Sequence, residues 1–183
     1  LPGGASGLAG AAAGVSSITW TWGAAPGNGN LYRVISASAS TVLAAGLSGL
    51  TYTETALSTN TACGVLVQAY NAAGAGALLG PATVYTLAAA PAALRTTAVT
   101  ATSIAVGWSA QGNPAATLYE ATLSTDGFTT LISTPVPFSD GLTAPAATLS
   151  GLQIGTAHQV RVRARNGDNV PTDFTAFITT LTR

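Results

Sequence analysis

Ile18, Trp20 and Trp22 alternate with Ser17, Thr19 and Thr21. A strand over 17–22 therefore turns three large apolar side chains to one face and three hydroxyls to the other. The same period of two recurs in Leu31-Tyr32-Arg33-Val34-Ile35, in the row Val65, Val67 and Ala69, and again in Val160, Val162 and Ala164. These runs are short and rich in Thr, Val, Ile, Tyr and Trp, and clusters such as Gly27-Asn28-Gly29-Asn30 separate them. β-Branched and aromatic residues suit a half-buried pleated surface, whereas Gly, Asn, Pro and Ser suit turns. Helix signals are scarce, so the pattern predicts an all-β chain.

The pattern is written twice. Ser17-Ile18-Thr19-Trp20-Thr21-Trp22 returns as Ser103-Ile104-Ala105-Val106-Gly107-Trp108, and Tyr32 returns as Tyr119. The run from Leu57 to Asn71 matches the run from Leu152 to Asn166 without a gap. The boundary falls near Leu87-Ala88-Ala89-Ala90-Pro91, giving two domains, 1–87 and 88–183, with a join short enough to be stiff. Trp22 to Trp108 spans 86 residues and Leu57 to Leu152 spans 95, so the second copy holds an insertion between its middle strands. We place it at Thr134-Pro135-Val136-Pro137-Phe138-Ser139-Asp140-Gly141.

These residues resemble the fibronectin type III family over nearly the whole chain, with Trp22 and Trp108 at the core indole position. Leu57, Thr61, Val65, Val67, Ala69, Asn71, Gly74 and Gly76 follow the later family signature in copy one, and Leu152, Thr156, Val160, Val162, Ala164 and Asn166 follow it in copy two. The resemblance implies two tandem immunoglobulin-like β-sandwiches, with Trp22, Trp108, Tyr32, Tyr119, Leu57, Leu152, Cys63 and His158 in the structural core. Cys63 and His158 stand where the family has a corner tyrosine whose hydroxyl bonds back to the preceding turn. Cys reaches less far, so the first corner is expected to rest on packing alone; His158 keeps a ring nitrogen able to donate one hydrogen bond.

Charge narrows the function. Asp, Glu, Lys and Arg make up 7% of the 183 residues, against about 25% in ordinary soluble domains. Six acids balance six bases, all of them Arg, so no field draws in nucleic acid. At 48% hydrophobic the chain is the reverse of a disordered one, and no window is apolar enough to read as a membrane span. With Leu1 at its start and no Met, we expect a processed product or an excised piece.

Little remains to build chemistry from. His158 is the only His and Cys63 the only Cys; the first reads as a stand-in for the corner Tyr, the second as a buried, inert thiol. Gly74-Ala75-Gly76-Ala77-Leu78-Leu79-Gly80 has the wrong spacing for a dinucleotide fingerprint and reads as a hairpin loop. Asn166-Gly167-Asp168-Asn169 reads as a turn, and Asp126, Asp140, Asp168 and Asp173 lack calcium-loop spacing. Arg161, Arg163 and Arg165 share the outward face of one strand. They either grip an anionic partner such as an acidic polysaccharide or, the plainer reading, pair with carboxylates on neighbouring strands.

We therefore expect no enzyme and no cofactor or metal. The leading expectation is an extracellular or cell-surface structural protein of bacterial type whose modules pack on copies of themselves, in a filament, sheath or surface layer. The alternative is a spacer or carbohydrate-binding piece of a larger secreted enzyme or adhesin, with Trp20, Tyr70, Tyr85 or Phe128 as sugar platforms if they point outward.

Overall fold

The structure, a computed structural model, describes all residues from Leu1 to Arg183. They form two compact units, Leu1–Leu87 and Ala88–Arg183.

In the first unit, β1 (Ser6–Gly14), β2 (Ser17–Gly23) and β5 (Thr51–Glu54) make one antiparallel sheet in the order β1-β2-β5. The other sheet has the order β4-β3-β6-β7, from β3 (Leu31–Ser36), β4 (Val42–Leu47), β6 (Ala62–Asn71) and β7 (Gly74–Tyr85). The second unit repeats the plan. Here β8 (Ala92–Val99), β9 (Ser103–Ser109) and β12 (Ala146–Ser150) form the three-stranded sheet β12-β9-β8. The four-stranded sheet is β11-β10-β13-β14, from β10 (Leu118–Ser124), β11 (Ile132–Val136), β13 (Ala157–Arg165) and β14 (Ile178–Leu181). A single 3-10 turn, Phe138–Asp140, is the only helical piece.

Alternation decides what lies between the sheets. In the first unit Ile18, Trp20 and Trp22 from β2 meet Tyr32 and Val34 from β3 and Val65, Val67 and Ala69 from β6, all buried. In the second, Ile104, Val106 and Trp108 meet Tyr119, Ala121, Leu149, Val160, Val162 and Ala164. Trp22 lies 5.7 Å from Tyr32 between ring centroids, and Trp108 5.4 Å from Tyr119. Leu57, Cys63 and Leu152 pack on these cores while only partly buried. Position 20 breaks the symmetry, since Trp20 has Val106 as its counterpart and needs more room. Gly10 supplies it, because a Cβ there would sit 2.4 Å from Trp20 Cζ3.

Two local expectations are corrected. Gly74 to Gly80 is no loop but the first half of β7, and the hairpin turns on Ala72 and Ala73 alone. Gly76 gives clearance, since a Cβ there would lie 2.7 Å from the Gly3 carbonyl oxygen, while Gly74 and Gly80 take positive φ, +128° and +109°, that side chains rarely adopt. The insertion is divided. The gap between the third and fourth strands grows from residues 37–41 to 125–131, and the next gap grows from 48–50 to 137–145. The larger share thus follows β11 and includes the 3-10 turn, starting three residues later than the sequence suggests.

Candidate functional site

The corner at the start of β6 and β13 is held by a residue type that the sequence reading passed over. Thr86, just past β7, is fully buried; its Oγ1 donates to the Ser58 carbonyl (2.8 Å) and accepts from the Thr61 N–H (3.0 Å). Thr182, just past β14, is equally buried and donates to the Gln153 carbonyl (2.6 Å) while accepting from the Thr156 N–H (3.1 Å). One hydroxyl just past the last strand thus ties down the turn that a tyrosine hydroxyl would otherwise hold. Packing alone does not hold the first corner, contrary to expectation. Cys63 contributes a long Sγ contact to the Thr61 carbonyl (3.9 Å) and is half-buried rather than enclosed. Burial, with the nearby Glu54 carboxylate second, pushes its thiol above the usual range.

His158 departs from expectation as well. It faces inward from β13 and is 95% buried, but neither Nδ1 nor Nε2 has a hydrogen-bond partner. The residue borders a cleft of about 250 Å³ with Leu123, Ser124, Thr125, Leu131, Ile132 and Ser133, while both its ring nitrogens stay enclosed. Trp22 and Trp108 share the condition, both indole N–H groups being buried without a partner. Trp20 does not, since its Nε1 donates to Glu54 Oε2 at 3.0 Å.

Arg161, Arg163 and Arg165 project from β13 as the alternation requires, and what meets them is aromatic. Arg161 lies over Phe128 (4.0 Å to the ring centroid) and Phe174 (4.1 Å). Arg163 lies over Phe174 (4.4 Å) and Phe138 (5.4 Å), and Arg165 over Phe138 (4.8 Å). Two residues of strand advance about 6.7 Å, which leaves room for one ring between consecutive guanidinium groups. The plainer reading, pairing with carboxylates, holds for Arg163, which meets Glu120 at 2.7 Å. Arg161 takes a hydroxyl instead, donating from Nε to Thr122 Oγ1 (3.2 Å).

Three separate segments deliver the rings. Phe138 rides on the 3-10 turn. Phe174 is pushed outward because the chain leaves the ladder after β13: Thr172 and Thr175 hydroxyls accept from the Ala164 and Val162 N–H groups, where backbone carbonyls would in a regular strand. Phe128 has a left-handed backbone, φ +65°, unusual for an aromatic residue. Asp126 fixes that turn, accepting from the Thr129, Thr130 and Leu131 N–H groups and from the Thr130 and Ser124 hydroxyls. The Thr130 hydroxyl above all, then the Leu131 N–H, hold its carboxyl well below the usual carboxylate range.

None of the four proposed sugar platforms stands free. Trp20 is fully buried, the Tyr70 hydroxyl accepts from the Gly46 N–H (2.9 Å) with Arg33 over the ring, Phe128 lies beneath Arg161, and Tyr85 is half-buried. Asn166-Gly167-Asp168-Asn169 is a turn in which Asn166 Oδ1 accepts from the Asp168 and Val170 N–H groups. No three His, Cys, Asp or Glu side chains come together in a way that would hold a metal ion, and no helix is long and apolar enough to cross a membrane.

The comparison with known families decides the identity of the second unit, where residues 89–177 match the fibronectin type III domain. The chain carries a fibronectin type III domain. Its two sandwiches share that fold: the two-domain fibronectin type III segment of chicken tenascin aligns over 98% of this chain and 99% of its own, at 14% identity and a TM-score of 0.58. The FN1–FN3 domains of chicken CNTN1 align over 98% of this chain and 67% of theirs, at 18% identity and a TM-score of 0.41. No curated protein matches the chain in sequence. Fibronectin type III domains are in general modules without a catalytic centre, and the Arg–Phe ladder fits that frame. It spends its cations on rings and pins three segments to one sheet.

Proposed function

We propose that the chain is a non-enzymatic, extracellular structural module of bacterial type that associates with copies of itself in a surface layer, sheath or filament. One observation carries the reading: the first unit has only two charged side chains, one of each sign, to oppose association. Its two charged side chains are Arg33 and Glu54. Arg33 donates to Gln68 Oε1 from Nε (2.8 Å) and from Nη2 and sits over Tyr70, while Glu54 accepts from Trp20. The outer face of β1-β2-β5 is built from Ala9, Thr21 and Thr51 in one row and Ala11, Thr19 and Thr53 in the next. Natural sandwiches commonly guard sheet edges with Lys, inward charge or bulges; this unit has no Lys and has register shifts where its edge strands β1, β4 and β7 pair.

Of the candidate sugar platforms Trp20 is buried, Tyr70 and Phe128 lie beneath arginines and Tyr85 is half-buried, so the second reading is a spacer or, through Tyr85, a carbohydrate-binding piece of a larger secreted protein. Size-exclusion chromatography with light scattering separates the two. Association predicts a mass that grows with concentration, and a monodisperse monomer at high concentration favours the spacer.

A further inference from the structure

Two Asn-Gly pairs occur in the chain, Asn28-Gly29 in the turn between β2 and β3 and Asn166-Gly167 after β13. Such a pair carries the parts of a reaction that needs no enzyme. The backbone nitrogen of the glycine attacks the asparagine Cγ, and with no Cβ on the glycine nothing crowds the approach. The structure treats the two pairs in opposite ways.

Asn166 is 3% exposed, and its carboxamide is engaged: Oδ1 accepts from the Asp168 N–H (3.1 Å) and the Val170 N–H (2.8 Å). Its backbone is held as well, since its N–H donates to the Val170 carbonyl (3.0 Å) and its carbonyl accepts from the Asn169 N–H (3.0 Å). Turning Cγ onto the next nitrogen would break these bonds together, in a place that water does not reach.

Asn28 has none of these restraints. It is exposed together with Pro26, Gly27 and Gly29, and neither its side chain nor its backbone makes a hydrogen bond. A Cβ on Gly29 would meet nothing within 4 Å, and its φ of +66° is one that glycine adopts at no cost. Asn30 fixes the stem of the turn instead: Nδ2 donates to the Ala25 (3.0 Å) and Gly27 (3.2 Å) carbonyls, and Oδ1 accepts from Asn71 Nδ2 (3.2 Å). The tip beyond that stem has no bond to lose when Asn28 rotates.

We propose that Asn28 is a site of spontaneous covalent modification, at which the Gly29 nitrogen closes an imide ring onto Asn28 Cγ. The new C–N bond forms as the bond from Cγ to the side-chain nitrogen breaks, and that nitrogen leaves as ammonia, taking the proton of the Gly29 amide. One water then opens the ring at either carbonyl, giving aspartate or isoaspartate, so the reaction consumes no oxidant or cofactor. Either product places a carboxylate on a unit whose charged side chains are Arg33 and Glu54.

Incubation of the full folded chain in mildly alkaline buffer, which favours the deprotonated amide nitrogen, tests it by ion exchange and peptide mass spectrometry. Trypsin cuts after Arg33 and Arg165, so Asn28 and Asn166 report from separate peptides. A more acidic species is expected, carrying both aspartate and isoaspartate at position 28 and forming at least about tenfold faster than any change at Asn166. Unfolding in guanidinium chloride should bring Asn166 to within about threefold of Asn28, because folding alone protects it. Gly29→Ala should slow the reaction at Asn28 about tenfold in the folded and the unfolded chain alike, which separates crowding of the nitrogen from strain in the turn. Equal rates at Asn28 and Asn166 in the folded chain, aspartate at position 28 without isoaspartate, or a rate untouched by Gly29→Ala would overturn the proposal.

Discussion

Thr182 repeats in the second sandwich what Thr86 does in the first: each is wholly buried, and each uses one hydroxyl to donate to a carbonyl and accept from an N–H of the same turn. Removing such a hydroxyl takes two part-buried hydrogen bonds from the turn at once, and each such bond contributes about 1 kcal/mol. Thr86→Val and Thr182→Val are isosteric, so each should lower the stability of its own unit by about 2 kcal/mol in urea unfolding. Thr→Ser at the same sites keeps the hydroxyl and should cost under about 1 kcal/mol. Equal losses for Val and Ser would mean that the methyl, not the hydrogen bonds, does the holding.

Much of this architecture is legible in the sequence because it follows from a period of two. Trp22 and Trp108, Tyr32 and Tyr119, and the Val rows of β6 and β13 all fall inside as the alternation requires. The corner threonines stay hidden because Thr is ordinary at the end of a strand, and only the fold brings Thr86 to Ser58. A faint signal exists in Tyr85-Thr86-Leu87 against Leu181-Thr182-Arg183, the same residue closing both copies. The rings that cover the arginines are invisible for another reason. Phe128, Phe138 and Phe174 come from three irregular segments, where side-chain direction follows no period. The Gly74 to Gly80 run misleads because glycine signals close backbone approach as well as turning.

The Arg–Phe ladder makes a specific energetic claim. Guanidinium groups over partly buried rings contribute about 0.5–2 kcal/mol each. Phe174→Ala and Arg161→Ala should each destabilise the second unit, and the double variant should lose less than their sum by about 1 kcal/mol. Arg161→Lys keeps the charge but loses the planar face, so it should recover less than half of the loss. A double-mutant cycle that closes with no coupling would show that the stacking is incidental.

Asp126 provides a test by pH. Its carboxyl is held well below the usual carboxylate range by the Thr130 hydroxyl, then the Leu131 N–H. A depressed folded-state value means that the turn's contribution is present above the unfolded value, about 3.9, and is lost only as pH falls through the lower folded value. Amide protection at Thr130 and Leu131 should therefore persist from neutral pH down to about pH 3. Asp126→Ala should remove that protection at every pH in the range. Protection lost at about pH 4 in the native chain would contradict the assignment.

Cys63 should be sluggish toward thiol reagents. Burial and then Glu54 raise its thiol above the usual range, so the thiolate that reacts is scarce at neutral pH. Labelling at pH 7.5 is expected to run about tenfold or more slower in the folded chain than in urea. Equal rates would mean that the thiol is neither shielded nor shifted.

The central claim is that an exterior almost free of charge makes the first sandwich stick to its own kind. Thr21 and Thr51 lie exposed and side by side on the outer face of β1-β2-β5, where surface substitutions usually move stability by less than about 0.5 kcal/mol. Sedimentation velocity of the native chain beside Thr21→Lys/Thr51→Lys, over a hundredfold or so in concentration, reads the claim directly. The account predicts a coefficient that climbs with concentration in the native chain and stays flat in the variant. A native chain that sediments as a monomer throughout would contradict it.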